Sequence, residues 1–471
     1  MTVDAATPEQ ADLLAFGCVV TMNAENEIVP DGGIAVRDNC ILAIGSRKEI
    51  ERRYQARCSL DRRHAILIPG LIDCHTHTSQ ALVRALIAHE LPMIYRIYSP
   101  VTQNMTPDDV HVAASLCAAQ LLLSGVTTVC EGAIGGTDEH LAATAEAISK
   151  AGIRSNIVIG RPDQAFHHAA LYSQARDRSW LKVRQGEAER ELNRTETFLS
   201  RNPPASAALI TGGICASSLT AFSETYFRMA QDLAQRTGSK LHVHAARDRE
   251  EVEFCLAVFG RRPIERLSEI DVIGKHLVIA HGMLATDHEL TLLGKGQSAV
   301  AHSAIECLNI LNSVPNVRLM RELGITVGLG CDNAVNDMFS AMRGAWILHT
   351  ATRGIQGYDP EILDAGTILE MATRDASVLL GLDRHIGSLE PGKRADFVLL
   401  DGSGPHLRPS LDLLPELVRY ACRGDVRDVV VDGRILVDNQ RLCTLDLDEV
   451  QEKAQMAVHR LGPIAAKGRY R

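Results

Sequence analysis

Between residues 66 and 384, eight short apolar runs alternate with stretches of helical periodicity. The runs are 66–73, 126–131, 153–159, 207–215, 240–244, 276–281, 298–302 and 326–331. Apolar runs this short read as strands, and their alternation with helices reads as βα units with a parallel sheet. Eight such units close a barrel. One intervening helix has a clear start at Thr106-Pro107-Asp108, which predicts a helix over 108–123. The fold class expected is α/β, a (β/α)8 TIM barrel.

The two ends of the chain have a different texture. Strand-like runs at 14–22, 33–36 and 40–44 are separated by turn residues such as Asp31-Gly32-Gly33 and Asp38-Asn39. Runs at 396–400, 426–431 and 433–437 repeat the pattern, with turns at Asp432-Gly433 and Asp438-Asn439. Both ends together predict one small β-sandwich. The expected domains are 1–66, the N-terminal portion of the sandwich; 67–384, the barrel; and 385–471, the C-terminal portion of the sandwich followed by a tail.

Bulk properties narrow the class of partner. The formal net charge is -9, spread along the chain, which disfavours nucleic acid and anionic membrane surfaces. No stretch of about 18 apolar residues is present, so no membrane span is expected. The first residues, Met1 to Glu9, lack the basic and apolar blocks of a secretory signal. The 12 cysteines include no C-x-x-C pair and read as reduced thiols used in packing. A cytoplasmic protein acting on a small molecule is expected, with no nucleic-acid partner and no membrane.

The residues that carry chemistry fall where a barrel concentrates it, at the C-terminal ends of strands. His75 and His77 follow the first run, and on a strand residues i and i+2 face the same side. His244 ends the fifth run, His281 the sixth, and Asp332 follows the eighth. Each alone reads as a core histidine or a helix cap. Together they form a nitrogen and oxygen donor set suited to one divalent ion.

These residues, with Pro69-Gly70-Leu71-Ile72-Asp73, Ser124-Gly125-Val126-Thr127-Thr128, Ala372-Thr373-Arg374 and the tail from Ile386 to Asp396, resemble the amidohydrolase superfamily. The likeness is to its cytosine-deaminase-like and triazine-hydrolase-like branch, and it spans essentially the whole chain. The resemblance implies that His75, His77, His244 and Asp332 hold the metal. It further implies that Asp332 takes the proton of the attacking water and that His281 orients that water. Two-metal relatives bridge their ions with a modified lysine on strand four, but 207–218 contains no lysine. One ion is expected, with zinc, cobalt, iron and manganese all open. Self-association as a homo-oligomer is implied by the resemblance alone.

One departure steers the functional reading. Deaminases of this branch carry a glutamate three residues after the strand-five histidine, where it passes a proton to a ring nitrogen. Here that position is Arg247, which holds its proton at any ordinary pH. Arg247 is read either as a surface or ion-pair residue at the start of the next helix or as a pocket group that steadies a carboxylate or a polarised carbonyl, with Glu250 and Glu251 as alternative acids one turn on. The expected function is metal-dependent hydrolysis of a urea, carbamate, thiocarbamate or amide at its carbonyl-type carbon. At a finer level the chain looks like the phenylurea and molinate (thiocarbamate) hydrolase lineage. The first alternative is an aminohydrolase, deaminase or chlorohydrolase of a heteroaromatic ring. The second is a non-catalytic barrel that retains a metal. Candidate substrate contacts are Tyr95, Tyr98, Tyr172, His302 and Cys307, and the segments 81–100 and 163–172 are read as covers over the site. Asn333, Asn336 and Asp337 are read as loop and cap residues after strand eight.

Overall fold

The computed structural model describes residues 8–83, 98–134, 136–165, 182–309, 313–332 and 335–469. Eight strands hydrogen-bond in parallel, each to its sequence neighbour: Leu71–Thr76, Val126–Ile134, Arg154–Gly160, Ile210–Ala216, Leu241–Ala245, Leu277–His281, Ala299–His302 and Thr326–Leu329. They are called barrel strands one to eight below. Strand eight meets strand one through Asp332 N–H, which donates to the His75 carbonyl at 2.8 Å. The (β/α)8 barrel is as the sequence predicts.

The expected first run, 66–73, divides at Gly70. Its first half ends a long strand, Tyr54–Pro69, that belongs to the sheet at the chain ends. Its second half opens barrel strand one. A Cβ on Gly70 would collide with the Thr127 side chain, so the crossing from sheet to barrel needs a bare backbone.

The end sheet has eight strands in the order Arg441–Leu442, Arg434–Asp438, Val426–Val431, Phe397–Asp401, Tyr54–Pro69, Glu9–Val20, Ile28–Arg37 and Cys40–Ser46. Hydrogen bonding makes it one continuous sheet assembled from both ends of the chain. Its centre is the antiparallel pairing of Phe397–Asp401 with Tyr54–Pro69, in register Phe397 to Pro69 and Asp401 to Ala65. Leu67, Phe397, Leu399 and Val430 pack together there with no exposure to solvent.

Local signals place the helices. The helix Pro107–Leu122 begins with proline at its first turn and a reciprocal cap. Thr106 Oγ1 accepts from Asp109 N–H at 3.2 Å, and the Asp109 carboxylate accepts from Thr106 N–H at 2.6 Å. The motif Ser124-Gly125-Val126 then turns the chain into strand two, Gly125 taking φ +80. The motif Ala372-Thr373-Arg374 opens the helix Arg374–Leu380 and anchors it to strand one through Ile72 N–H on the Ala372 carbonyl at 2.9 Å. Ala376, Leu379 and Leu380 of that helix pack against Ile72, Cys74 and Cys130 inside the barrel. Seven of the twelve cysteines are buried and all are free, in keeping with their use in packing. No helix among the described residues is long and apolar enough to cross a membrane.

A buried ion cluster joins barrel to sheet. Arg154, at the start of strand three, reaches Asp396 through Nε at 2.8 Å and Nη2 at 3.1 Å, and Asp432 through Nη2 at 3.0 Å. Its other nitrogen donates to the carbonyls of Ala207 and Ala208. Asp396 is the last residue of the tail motif, and its backbone carbonyl accepts from Gly70 N–H. The motif is thus explained by a cross-domain anchor.

A second buried titratable group lies in the first turn of the helix Arg249–Phe259. Glu251 accepts from Arg247 N–H at 3.1 Å through one oxygen, and its other oxygen has no partner among the described residues. Burial, with Asp248 beside it, raises this carboxyl to about 8.

These two buried clusters set the expected response of stability to mutation and pH. Arg154→Met removes the guanidinium from two buried carboxylates and should lower unfolding free energy by about 3–5 kcal/mol in urea titration. Loss of the exposed pair of Arg190 with Glu187, in Arg190→Ala, should change it by about 1 kcal/mol or less. Glu251 keeps in the folded state a proton that the unfolded chain releases near 4.5. Its contribution to stability is fully present below 4.5 and is lost as pH rises through about 8. Glu251→Gln should flatten the fall in Tm across that window, and an unchanged slope would show that Glu251 does not titrate there.

Candidate metal centre

The five residues singled out in the sequence converge at the C-terminal rim of the barrel, all buried. His75, His77 and His244 bring three ring nitrogens within 4.8 Å of one another. His75, His281 and Asp332 form a second such group, sharing His75. His75 Nε2 lies 3.9 Å from Asp332 Oδ2, and His281 Nε2 lies 3.7 Å from the same oxygen.

Neighbouring strands aim each donor. His77 Nδ1 donates to the Gly132 carbonyl on strand two at 3.1 Å, so its Nε2 carries a lone pair. That lone pair faces His244 Nε2 at 3.3 Å. A Cβ on Gly132 would stand 2.8 Å from the His77 ring, so the imidazole fills the space of the missing side chain. His244 N–H donates to the Ser217 carbonyl at 3.2 Å, tying strand five to the end of strand four. His281 and Asp332 turn off their strands with φ +80 and φ +52, a left-handed conformation that side chains other than glycine adopt at a cost of about 1–3 kcal/mol. This strain is located where both side chains must leave the strand line.

Asp73 laces strands one and eight together. One of its oxygens accepts from His75 N–H at 3.1 Å and from Cys331 N–H at 2.9 Å. Thr76 Oγ1 donates to the Asp332 carbonyl at 2.7 Å. Burial raises the Asp73 carboxyl to about 7, against the pull of those two N–H donors. Glu131 on strand two accepts from Thr78 N–H at 2.8 Å, and burial raises its carboxyl as well.

The donor set fits a divalent cation. Burial, then the nearness of the other imidazoles, pushes His75 and His244 well below the usual histidine range, and burial with Arg247 does so for His281. Neutral imidazoles are the ligating form. His75 Nε2 is buried without a hydrogen-bond partner among the described residues, as expected of an atom whose partner is an ion. Nitrogen and carboxylate ligands in a buried site are a common setting for zinc. A third group, His406, Cys422 and Asp425, lies in the end-sheet segment, where Asp425 pairs with His406 at 3.0 Å and caps Cys422 N–H at 2.8 Å.

The remaining expectations separate. Arg247 lies half-buried just past strand five, with Nε on Asp248 Oδ2 at 2.6 Å, and its charge lowers His244 and His281. Glu251 faces Asp248, Arg247 and Glu289. Glu250 is half-buried on the same turn. Tyr98 is buried, its hydroxyl has no partner among the described residues, and Glu306 and Asp332 act on it. His302 is buried at the end of strand seven with its Nε2 3.1 Å from His349 Nε2. Cys307 is buried in the core, its thiol donating to the Ser303 carbonyl at 3.5 Å. Asp337 caps the helix Met338–His349, and Asn336 donates to Gln120 at 2.8 Å. Tyr95, Tyr172 and Asn333 lie outside the described residues.

Sequence reasoning passed over Asp73 and Glu306. Asp73 sits two residues before the first ligand, where its side chain faces the barrel seam; this could have been found from the strand period. Glu306 sits one residue before the flagged Cys307, on the short helix Ala304–Asn309. A charged side chain in a segment otherwise rich in small and apolar residues was its signal.

Known proteins share this geometry's framework. The profile of the Amidohydrolase family matches residues 66–436. A 5-methylthioadenosine/S-adenosylhomocysteine deaminase from Syntrophobacter fumaroxidans is 30% identical over 464 residues, 96% of this chain and 99% of that protein. A 5'-deoxyadenosine deaminase from Methanosarcina barkeri is 25% identical, over 94% of this chain and 96% of its own. An adenosine deaminase from Xanthomonas campestris with bound zinc superposes with a TM-score of 0.84 at 24% identity, covering 97% of this chain and 100% of that one. Atrazine chlorohydrolase from Arthrobacter aurescens TC1, complexed with zinc, gives 0.81 at 22% identity, over 95% and 100%. The two structures share the fold, and the sequence matches go further: this chain is a member of the amidohydrolase family and a hydrolase.

Proposed function

We propose that the protein is a zinc-dependent aminohydrolase that releases an amine or ammonia from a heteroaromatic ring. The observation that carries this reading is the convergence of His75, His77, His244, His281 and Asp332 on one buried rim. Relatives named as deaminases of adenine nucleosides support a ring-borne amine as the reacting group.

His75, His77, His244 and Asp332 would hold one ion. An ion bound there would supply Lewis acidity, making a nearby water far easier to deprotonate near neutral pH. The chain supplies the rest. Asp332 Oδ2 accepts the proton that the water gives up and passes it to the departing nitrogen. His281, whose Nε2 faces that oxygen, keeps the water aimed at the substrate carbon. The surrounding structure that imposes the left-handed backbone at both residues holds them in place before substrate arrives, so little reorganisation remains for the reaction.

A second reading is the carbonyl-centred one, with a urea, carbamate, thiocarbamate or amide as substrate. Arg247 favours it, because a guanidinium cannot donate a proton to a ring nitrogen near neutral pH. One panel separates the two. Zinc-loaded protein is given adenosine, 5-methylthioadenosine and an aminated triazine beside a phenylurea and a thiocarbamate. Ammonia or amine release from the rings is the expected outcome; turnover confined to the phenylurea or thiocarbamate would move the assignment to the second reading. His244→Asn and Asp332→Asn should each lower kcat by roughly 10²–10⁴-fold. Activity untouched by both would mark a barrel that retains its metal without using it.

A further inference from the structure

We propose that His406, Cys422 and Asp425 form a second cation site, outside the barrel, that takes a divalent ion of the zinc class through nitrogen, sulfur and oxygen. The ion would clamp the base of the excursion 402–425, where it leaves and rejoins the end sheet. This site stands apart from the barrel chemistry and does not depend on which substrate the rim takes.

The donors are close together. One ligand atom from each residue lies within 4.8 Å of the other two. His406 Nε2 stands 3.0 Å from Asp425 Oδ1 and 3.0 Å from Oδ2. Donors bound to one tetrahedral zinc at about 2.0–2.3 Å lie roughly 3.3–3.6 Å from each other, so small rotations of the Cys422 and Asp425 side chains bring all three onto one ion. Two further donor groups converge as closely among the described residues, and both belong to the barrel rim. Of the twelve free cysteines, only Cys422 falls in such a group among the described residues.

Each donor is held by its own turn. Leu407 N–H on the Gly404 carbonyl at 3.0 Å folds the chain back at His406. A Cβ on Gly404 would lie 2.5 Å from His406 Cε1, so the ring fills the space that a side chain at 404 would need. On the other side, Asp425 N–H donates to the Cys422 carbonyl at 2.9 Å, and Asp425 Oδ2 accepts from Cys422 N–H at 2.8 Å. Gln440 Nε2 donates to the Gly424 carbonyl at 2.6 Å and pins the turn between them.

The residue types suit a cation better than a plain ion pair. His406 and Asp425 would pair without help from a thiol. Cys422 stands at the N-cap of the short turn Arg423–Asp425, a position that Ser, Thr, Asn and Asp serve best, and a thiol is a weak acceptor there. As a thiolate beside an imidazole and a carboxylate, it is the soft member of a set suited to zinc, cobalt or nickel and poorly suited to magnesium or calcium. The His406 side chain is 40% exposed while Asp425 is buried, so an ion can enter from solvent and a water can complete the fourth position. Binding displaces the Cys422 thiol proton to solvent. The ring proton of His406 resides on Nδ1, which leaves the Nε2 lone pair to the ion.

Topology gives the ion a task. Phe397–Asp401 and Val426–Val431 are antiparallel neighbours, with Leu400 opposite Val426. Residues 402–425 therefore leave and return at one end of the sheet, His406 near the exit and Asp425 at the return. The excursion carries the helix Leu413–Arg419, whose Leu417 and Val418 are buried in the core shared with the barrel. Arg343, on the helix Met338–His349 that follows barrel strand eight, donates to the carbonyls of Arg419 at 2.9 Å and Ala421 at 2.6 Å. A clamp at the base of the excursion fixes this helix between sheet and barrel. An ion bound by the folded chain alone raises its stability.

The test loads the full-length protein with cobalt(II), a spectroscopic stand-in for zinc, and reads metal content, near-ultraviolet absorption and Tm. The wild type should bind an ion beyond any held at the barrel rim, show a thiolate-to-cobalt charge-transfer band, and rise in Tm as cobalt is added. Cys422→Ser should lose the band and one ion. His406→Gln should do the same, so the outcome does not hang on the folding of a single variant. His244→Asn should keep the band, because the ligands proposed at the rim include no sulfur; this separates failure here from failure of the barrel reading. A wild type without a thiolate band, or a band that survives in either Cys422→Ser or His406→Gln, would overturn the assignment and leave His406 and Asp425 as an ion pair.

Discussion

The Asp73 carboxylate is the constraint on which the remainder of the structure depends. By accepting from the backbone of His75 and of Cys331, it joins the first strand of the barrel to the end of the last. The barrel seam and the metal centre are therefore set by one side chain. Asp332 N–H on the His75 carbonyl completes the seam and places the Asp332 carboxylate beside the histidines proposed to share an ion with it. A shift of one residue in either strand would turn these ligands away from the rim, because side chains alternate.

The donors come from strands one, five and eight, with His281 from strand six. No single βα unit contains a site, so the metal centre exists only when the sheet has closed. This explains how neutral, buried imidazoles can be tolerated side by side. The backbone hydrogen bonds of neighbouring strands hold them, and a cation between them would replace the hydrogen bonds that burial denies.

The barrel and its ligand rim were legible in the sequence because both rest on strict periodicity. His75 and His77 are two apart on a strand, and His244, His281 and Asp332 each close an apolar run. The period does not reveal where a run changes sheets, so 66–73 read as one strand although Gly70 divides it. Nor does it describe the segments after the strands. Glu306 lies on a six-residue helix whose orientation is set by packing, and Arg247 stands at a familiar spacing with an unfamiliar charge. Charges on such segments acquire meaning only from what tertiary structure puts beside them. The two ends were recognised as one module from their turn chemistry, but the pairing of Tyr54–Pro69 with Phe397–Asp401 has no local signal.

That pairing has a consequence for biogenesis. The N-terminal strands leave the ribosome first, yet Tyr54–Pro69 must wait for more than three hundred residues of barrel before Phe397–Asp401 emerges to cover it. Arg154 likewise waits for Asp396 and Asp432. During translation an apolar edge that includes Ile66, Leu67 and Ile68 stays open for the whole synthesis of the catalytic domain. Such an edge invites pairing with a neighbouring nascent chain.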